Sequence, residues 1–89
     1  MSKIMDKISA GAKIIDVRSP DEYADGSYKG AINIPVNILS KKMDFIGSKD
    51  TPIIVYCASG GRSAVAMSML KASGFKDVTN AGGLCDMPT

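Results

Sequence analysis

The sequence predicts an α/β sandwich in which a small, mostly parallel sheet is flanked by helices. Two observations carry this. Short apolar runs alternate along the chain with segments that bear helix-start and helix-stop signals. One run, Pro52-Ile53-Ile54-Val55-Tyr56, is β-branched and apolar almost throughout, the pattern of a central strand covered on both faces.

Each element has its own signal. Ile4, Met5 and Ile8 lie at helical spacing and predict a short first helix ending near Gly11. Lys13 to Val17 reads as a buried strand. In Ser19-Pro20-Asp21-Glu22 the serine can cap, the proline suits the first helical position, and the glutamate stands where a capping box needs it, so a short helix is expected there, ending by Gly26. Ala31 to Ile34 is a second short strand stopped by Pro35. Apolar residues at 38, 39, 43 and 46 predict a helix over Ile38 to Ile46. Pro52 to Tyr56 is the clearest strand. A helix is expected from Arg62 to Ser73, with Ala66, Met69, Leu70 and Ser73 on one face and Gly74 at its end. Asp77 to Asn80 is the last strand, followed by Gly82-Gly83.

The 89 residues fit one domain, 1–89, with a core adequate for folding and little stability to spare. A net charge of +2, carried by scattered lysines and arginines, argues against nucleic-acid binding, which needs a clustered basic patch. No apolar run approaches the length of a membrane span, and Met1 to Lys7 lacks the apolar stretch of a secretory signal. The chain is therefore expected to be cytoplasmic, or periplasmic if an export signal has been removed. Two isolated cysteines, Cys57 and Cys85, with no CxxC pair, do not form a zinc site, and no metal is expected. The chain has no histidine, which removes Ser-His-Asp and Cys-His catalysis and the His-rich metal sites. Any nucleophile must be activated by other means.

One segment carries chemistry: Cys57-Ala58-Ser59-Gly60-Gly61-Arg62-Ser63. A cysteine ends the best strand, small residues follow, and an arginine opens a helix. Ligands of open α/β sheets bind outside the carboxyl ends of the strands. Gly60 and Gly61 are expected to let the backbone curl and aim successive N–H groups inward, with the helix N-terminus adding partial positive charge. Such a bowl stabilises a thiolate and holds the Cys57 pKa below its free value. Arg62 would offer a planar charged fork to an oxyanion. Against this stands the plain alternative that Cys57 is a small core residue and the glycines an ordinary loop. Pure packing does not require two glycines and an arginine at that junction. A Walker phosphate loop is absent.

These residues resemble the active loop of the rhodanese superfamily, CxxGxRS. Ile15-Asp16-Val17-Arg18-Ser19-Pro20-Asp21-Glu22-Tyr23 is similar to its first signature, Gly30-Ala31-Ile32-Asn33-Ile34-Pro35 to its second, and Asn80-Ala81-Gly82-Gly83 to the end of its last strand. The short C-terminus resembles the small phage-shock-type thiosulfate sulfurtransferases of that family, which are periplasmic. The resemblance implies a three-layer sandwich and a thiosulfate sulfurtransferase. Cys57 would attack the outer sulfur of thiosulfate, carry it as a persulfide, and pass it to cyanide or a thiol. Ala58, Ser59, Gly60, Gly61, Arg62 and Ser63 would cradle the persulfide, and Arg62 would bind the donor. No cofactor is implied beyond the persulfide itself, and a monomer is expected. Arg18 is expected to pair with an acidic residue such as Glu22 and brace the loop. Asp16 lies on the Cys57 edge of the sheet, and both a place beside the loop and a structural role remain open for it. Cys85 is either a resolving second thiol or incidental.

Three departures from the family stand out: Ser27-Tyr28-Lys29 replaces a His-Ile pair, the tryptophan after the last Gly-Gly is missing, and the short end is expected to leave one flank of the loop less covered. The competing readings are a non-enzymatic sulfur carrier or regulatory module, a Cys57–Cys85 redox sensor, and a Cys-based phosphatase or arsenate reductase. The last class uses a longer loop than the four residues between Cys57 and Arg62.

Overall fold

A computed structural model describes residues 3–88; Met1, Ser2 and Thr89, the ends of the expected single domain, lie outside the described residues. The sheet has four strands, β1 (Lys13–Asp16), β2 (Ile32–Asn33), β3 (Ile53–Cys57) and β4 (Val78–Gly83), in the order β2-β1-β3-β4. All three pairings are parallel, so the expected mostly parallel sheet is parallel throughout. β3 is buried at every residue, as its continuous apolar run predicts.

Side chains of β3 alternate between two cores. Ile53, Val55 and Cys57 face one layer, with Ile15, Val17, Leu39, Ile46, Ala66 and Leu70. Ile54 and Tyr56 face the other, with Ile14, Ala31 and Met87. The first layer is covered by a 3-10 helix (Val36–Lys41), α3 (Met43–Ile46) and α4 (Gly61–Ala72). The second is covered by α1 (Lys3–Ser9) through Ile4 and Ile8, and by α2 (Pro20–Asp25) through Tyr23. Helices therefore lie on both faces, giving the three-layer α/β sandwich.

The capping box forms as the sequence predicts. Ser19 Oγ accepts from the Glu22 N–H, the Glu22 carboxylate accepts from the Ser19 N–H, and Pro20 is the first residue of α2. The segment expected to be one helix over Ile38 to Ile46 is instead a 3-10 helix followed by the four residues of α3, broken at Lys42. The burial that set the apolar spacing is real, since Leu39 and Ile46 are both in the core. Two short turns satisfy it as well as one helix does. α4 ends one residue early, and Ser73, expected on its apolar face, is exposed; Ser63 takes a buried place on that face with Ala66 and Leu70.

β4 runs further than Asp77 to Asn80. It continues to Gly83 through an irregularity at which Val55 pairs with Asn80 but Tyr56 pairs with Gly82, so Ala81 has no partner. Beyond β4 a 3-10 turn (Leu84–Asp86) leads to Met87, which is buried against the Tyr56 face. Among the described residues, no helix is long and apolar enough to cross a membrane.

Candidate active site

Cys57 is the last residue of β3, and its side chain points toward the α4 layer. The chain then bends through Ala58, Ser59 and Gly60 into the N-terminus of α4. Gly60 makes the bend: its φ of +101° is a left-handed conformation open to glycine, and a Cβ there would stand 3.4 Å from the Gly82 Cα. Gly61, expected to share that task, is the first residue of α4 with open space around it, so its lack of a side chain answers no steric need. Gly83 answers a real one. A Cβ there would stand 2.2 Å from the Ala58 carbonyl oxygen, so a side chain would push the loop off the sheet.

The bend brings donors to the sulfur. The Gly60 N–H donates to Cys57 Sγ at 3.0 Å and the Ser63 N–H at 3.4 Å, and the Ser63 hydroxyl lies 3.4 Å away. The amides of Ala58 and Gly61, expected in the cradle, make no bond to the sulfur; Ser59 contributes a weaker one. Burial by itself pushes the Cys57 thiol up. The Ser63 hydroxyl and the amides of Ser63, Gly60 and Ser59 together outweigh it and bring the pKa from 9.0 down to about 7. Activation thus comes from hydrogen bonds at a helix N-terminus, with no imidazole. Cys57 itself is 0% exposed, while Ala58, Ser59 and Gly61 of the loop around it are exposed.

Sequence reasoning missed what anchors the loop. Asn80, opposite the irregularity in β4, accepts from the Ser63 hydroxyl at 2.6 Å and from the Gly82 N–H at 2.9 Å, and donates to the Gly60 carbonyl at 3.3 Å. It pins the loop, the helix start and β4 together. The Ser63 hydroxyl has one proton, and Asn80 Oδ1, Cys57 Sγ and the carbonyls of Gly60 and Gly82 all lie within its reach. A thiolate at Cys57 competes with Asn80 for that proton.

The two arginines are paired differently from expectation. Arg18 does not reach Glu22. Its backbone N–H, Nε and Nη2 all donate to Asp16, the Nη2 bond being 2.7 Å, and Nη2 also donates to the Gly26 carbonyl. Asp16 pairs in register with Tyr56 and shares its face of the sheet, so it lies across the sheet from Cys57 and not beside the loop. Tyr56 donates its hydroxyl to Asp16 at 2.8 Å and accepts from the Tyr28 N–H at 2.9 Å. Burial and the neighbouring Asp16 push the Tyr56 phenol up to about 12, so it remains a donor at all working pH. Asn33 completes the unit by donating to the carbonyls of Asp16 and Arg18.

Glu22 is taken instead by Arg62. The guanidinium donates from Nη1 to Oε1 at 2.7 Å and from Nη2 to Oε2 at 2.9 Å, a two-pronged pair at the surface. The Arg62 fork, expected to be free for an oxyanion, is therefore occupied. The pair holds the Glu22 carboxyl down at about 2, with the Ser19 N–H adding to the effect. Arg62 also lines an open groove of about 410 Å³, whose other walls include Val17, Pro20, Pro35, Val36 and Ile38. Cys85 is exposed on the turn after β4, and both cysteines are free thiols.

Comparison with known proteins agrees with this geometry. The rhodanese-like domain family matches residues 1–84. The thiosulfate sulfurtransferase PspE of Escherichia coli (strain K12) is 38% identical over 74 residues, spanning 82% of this chain and 71% of that protein. The chloroplastic thiosulfate sulfurtransferase 16 of Arabidopsis thaliana is 39% identical over 90 residues, spanning 88% and 74%. Among solved structures, a rhodanese with anions from E. coli superposes with a TM-score of 0.81 at 37% identity, covering 88% of this chain and 95% of that one. The human single-domain sulfurtransferase TSTD1 superposes with a TM-score of 0.83 at 25% identity, covering 91% and 84%. With four parallel strands, Cys57 at the end of β3 and a bent loop entering α4, this chain belongs to the rhodanese-like domain family.

Proposed function

We propose that this chain is a sulfurtransferase that moves sulfane sulfur from a thiosulfate-type donor to cyanide or a thiol through a persulfide on Cys57. The observation that carries the reading is the placement of Cys57 Sγ under the Gly60 and Ser63 amides with its pKa near 7, so that a large fraction is thiolate at neutral pH. In the first step the thiolate attacks the outer sulfur of thiosulfate. A new S–S bond forms to Cys57, the old S–S bond breaks, and its electron pair leaves with sulfite. In the second step the acceptor attacks the terminal sulfur, the Cys57 thiolate departs, and thiocyanate or a new persulfide is released. The amides that stabilise the thiolate also face the persulfide anion. The reaction needs no group beyond the chain's own sulfur, and it proceeds on a single copy of the chain.

The complete cover over Cys57 favours a second reading, a carrier loaded by a partner protein that opens the loop. Intact-mass measurement separates the two. Incubation with thiosulfate alone should add the mass of one sulfur, lost on adding cyanide and absent in Cys57→Ala. Gain only in the presence of a desulfurase selects the carrier. No gain under either condition, or a gain that survives in Cys57→Ala, removes both readings. Phosphate-ester turnover rivalling that of thiosulfate would select the phosphatase instead.

A further inference from the structure

Ser63 has a single hydroxyl proton and more acceptors than it can serve. Asn80 Oδ1 lies 2.6 Å from Ser63 Oγ, and Cys57 Sγ lies 3.4 Å from it. The Asn80 amide cannot turn over to relieve the competition. Its Oδ1 also accepts from the Gly82 N–H at 2.9 Å, and its Nδ2 donates to the Gly60 carbonyl at 3.3 Å. A flipped amide would set N–H against N–H and oxygen against oxygen. Asn80 therefore offers Ser63 a fixed acceptor.

The two directions of the hydroxyl suit different charges on the sulfur. With Sγ neutral, the proton belongs on Asn80, the shorter contact. The Ser63 oxygen then accepts from the thiol, and a chain from Cys57 S–H through Ser63 O–H to Asn80 Oδ1 satisfies every member. With Sγ charged, the sulfur is the stronger acceptor, and the hydroxyl turns to it. Each ionisation of Cys57 thus costs the bond between Ser63 and Asn80.

We propose, building on the sulfurtransferase reading, that Asn80 is a positioning residue that acts through Ser63: it favours the uncharged state of Cys57 Sγ and draws the Ser63 hydroxyl away from the sulfur between the two half-reactions. In the free protein the thiolate holds the hydroxyl. Once Sγ has bonded to the outer sulfur of thiosulfate and sulfite has left with the electron pair of the old bond, Sγ is neutral and the charge sits on the terminal sulfur. The hydroxyl returns to Asn80. When the acceptor attacks the terminal sulfur, the electron pair of the breaking S–S bond returns to Sγ, and the hydroxyl turns back to support the departing thiolate. Ser63 keeps its proton throughout. Other groups around Cys57 stay fixed. Arg62 of α4 is near enough to interact with the sulfur, Glu22 of α2 holds Arg62, and Asp86 after β4 accepts from the Gly83 N–H. β1, the first 3-10 helix and α3 bring the apolar Val17, Leu39 and Ile46 to that layer, and Asp16 lies across the sheet.

The test follows alkylation of Cys57 by iodoacetamide against pH, read on the Cys57 peptide so that Cys85 does not contribute, in the wild type, Asn80→Ala, Ser63→Ala and the double variant. Asn80→Ala removes the competing acceptor. It should move the midpoint down by about half a unit or more, which raises the rate below the midpoint about threefold or more. The acid limb of kcat/KM for thiosulfate should move with it. In the Ser63→Ala background the same replacement should move nothing. A residue that merely anchors the loop would act the other way, because losing its bonds to Gly60 and Gly82 would loosen the amides around the sulfur and raise the midpoint. An upward or absent shift in Asn80→Ala overturns the inference, as does a downward shift that persists without the Ser63 hydroxyl. If Asn80→Ala fails to fold, Asn80→Asp decides. It keeps Oδ1 for Ser63 and Gly82 and grips the hydroxyl more strongly, so it should raise the midpoint, and by more than it does in Ser63→Ala. Equal rises would be the through-space effect of the added charge and would overturn the inference. These alkylation results sink this inference alone. A wild type that takes no sulfur from thiosulfate sinks the sulfurtransferase reading, and the switch between half-reactions with it.

Discussion

The molecule contains two arginine–carboxylate pairs whose surroundings differ. Arg18 and Asp16 lie under the α2 side of the sheet, 7% and 0% exposed, with the Tyr56 hydroxyl, the Gly26 carbonyl and Asn33 satisfying the groups around them. Arg62 and Glu22 instead join the starts of α4 and α2 at the surface, with side chains 40% and 35% exposed. The chemistry of the two pairs is the same, and burial decides what each does. In the first, removing a partner strands a charge away from water. In the second, water and salt replace a lost partner at small cost, which leaves that pair available to shape what binds.

The comparison breaks most visibly at Asp16. Asp16→Ala leaves the Arg18 guanidinium buried without its carboxylate and takes away the acceptor of the Tyr56 hydroxyl. Losses of this kind cost about 3–5 kcal/mol, a large part of what a chain this short has in total. The melting temperature should fall by more than about 10 °C, and sulfur transfer should disappear by unfolding and return when the temperature is lowered. A fall within about 1 kcal/mol, the range of an exposed pair, would erase the distinction between the two pairs.

Cys57 lies between these extremes, as a buried group whose charge is supported by the Ser63 hydroxyl and the loop amides, with the Arg62 guanidinium near enough to interact with it. Its folded pKa of about 7 is below the ordinary 9.0. Between those values the unfolded chain keeps a proton that the folded chain has released, so stability rises with pH across that window. The contribution is complete above 9.0 and is lost as pH falls through about 7. Its size is of order 2 kcal/mol. Urea unfolding at both ends of the window should show this gain in the wild type and not in Cys57→Ala. The rate of alkylation of Cys57 should rise with a midpoint near pH 7. In Ser63→Ala, which removes the hydroxyl that lowers the pKa most among the four hydrogen bonds, that midpoint should move upward. An unmoved midpoint would mean that the Ser63 proton stays on Asn80 and never reaches the sulfur.

What could be read before folding, and what could not, follows from range. β3 was legible because its apolar run is local, and Cys57, Gly60 and Ser63 were legible because strand end, bend and helix start follow one another in the chain. The capping box of α2 was legible for the same reason. The second task of Glu22 was not, because its partner Arg62 is 40 residues away and nothing in the spacing of either residue points to the other. Pairing Arg18 with Glu22 satisfied local charge balance, but Asp16 is nearer in the chain and shares its burial. Asn80 stood inside a recognised motif, yet its hold on Ser63 depends on how β4 passes α4. The helix expected over Ile38 to Ile46 failed for a different reason: an apolar spacing records which residues are buried, and here a 3-10 helix and a single turn bury the same Leu39 and Ile46.

The smallest change in stability is expected at the surface pair, and there it sharpens the contrast. Arg62→Ala removes a side chain that is 40% exposed and frees Glu22 to water, so it should shift stability by no more than about 1 kcal/mol. Its effect should appear in binding instead. Without Arg62 the Glu22 carboxylate faces the donor unopposed, and the thiosulfate KM should rise by roughly tenfold. The Gly60 and Ser63 amides still hold the sulfur, so kcat should fall far less. The double variant Arg62→Ala with Glu22→Gln should recover part of the lost affinity, because it removes the repulsion without restoring the guanidinium. A large loss of stability in Arg62→Ala, with KM unchanged, would place this pair in the same structural class as Asp16 and Arg18.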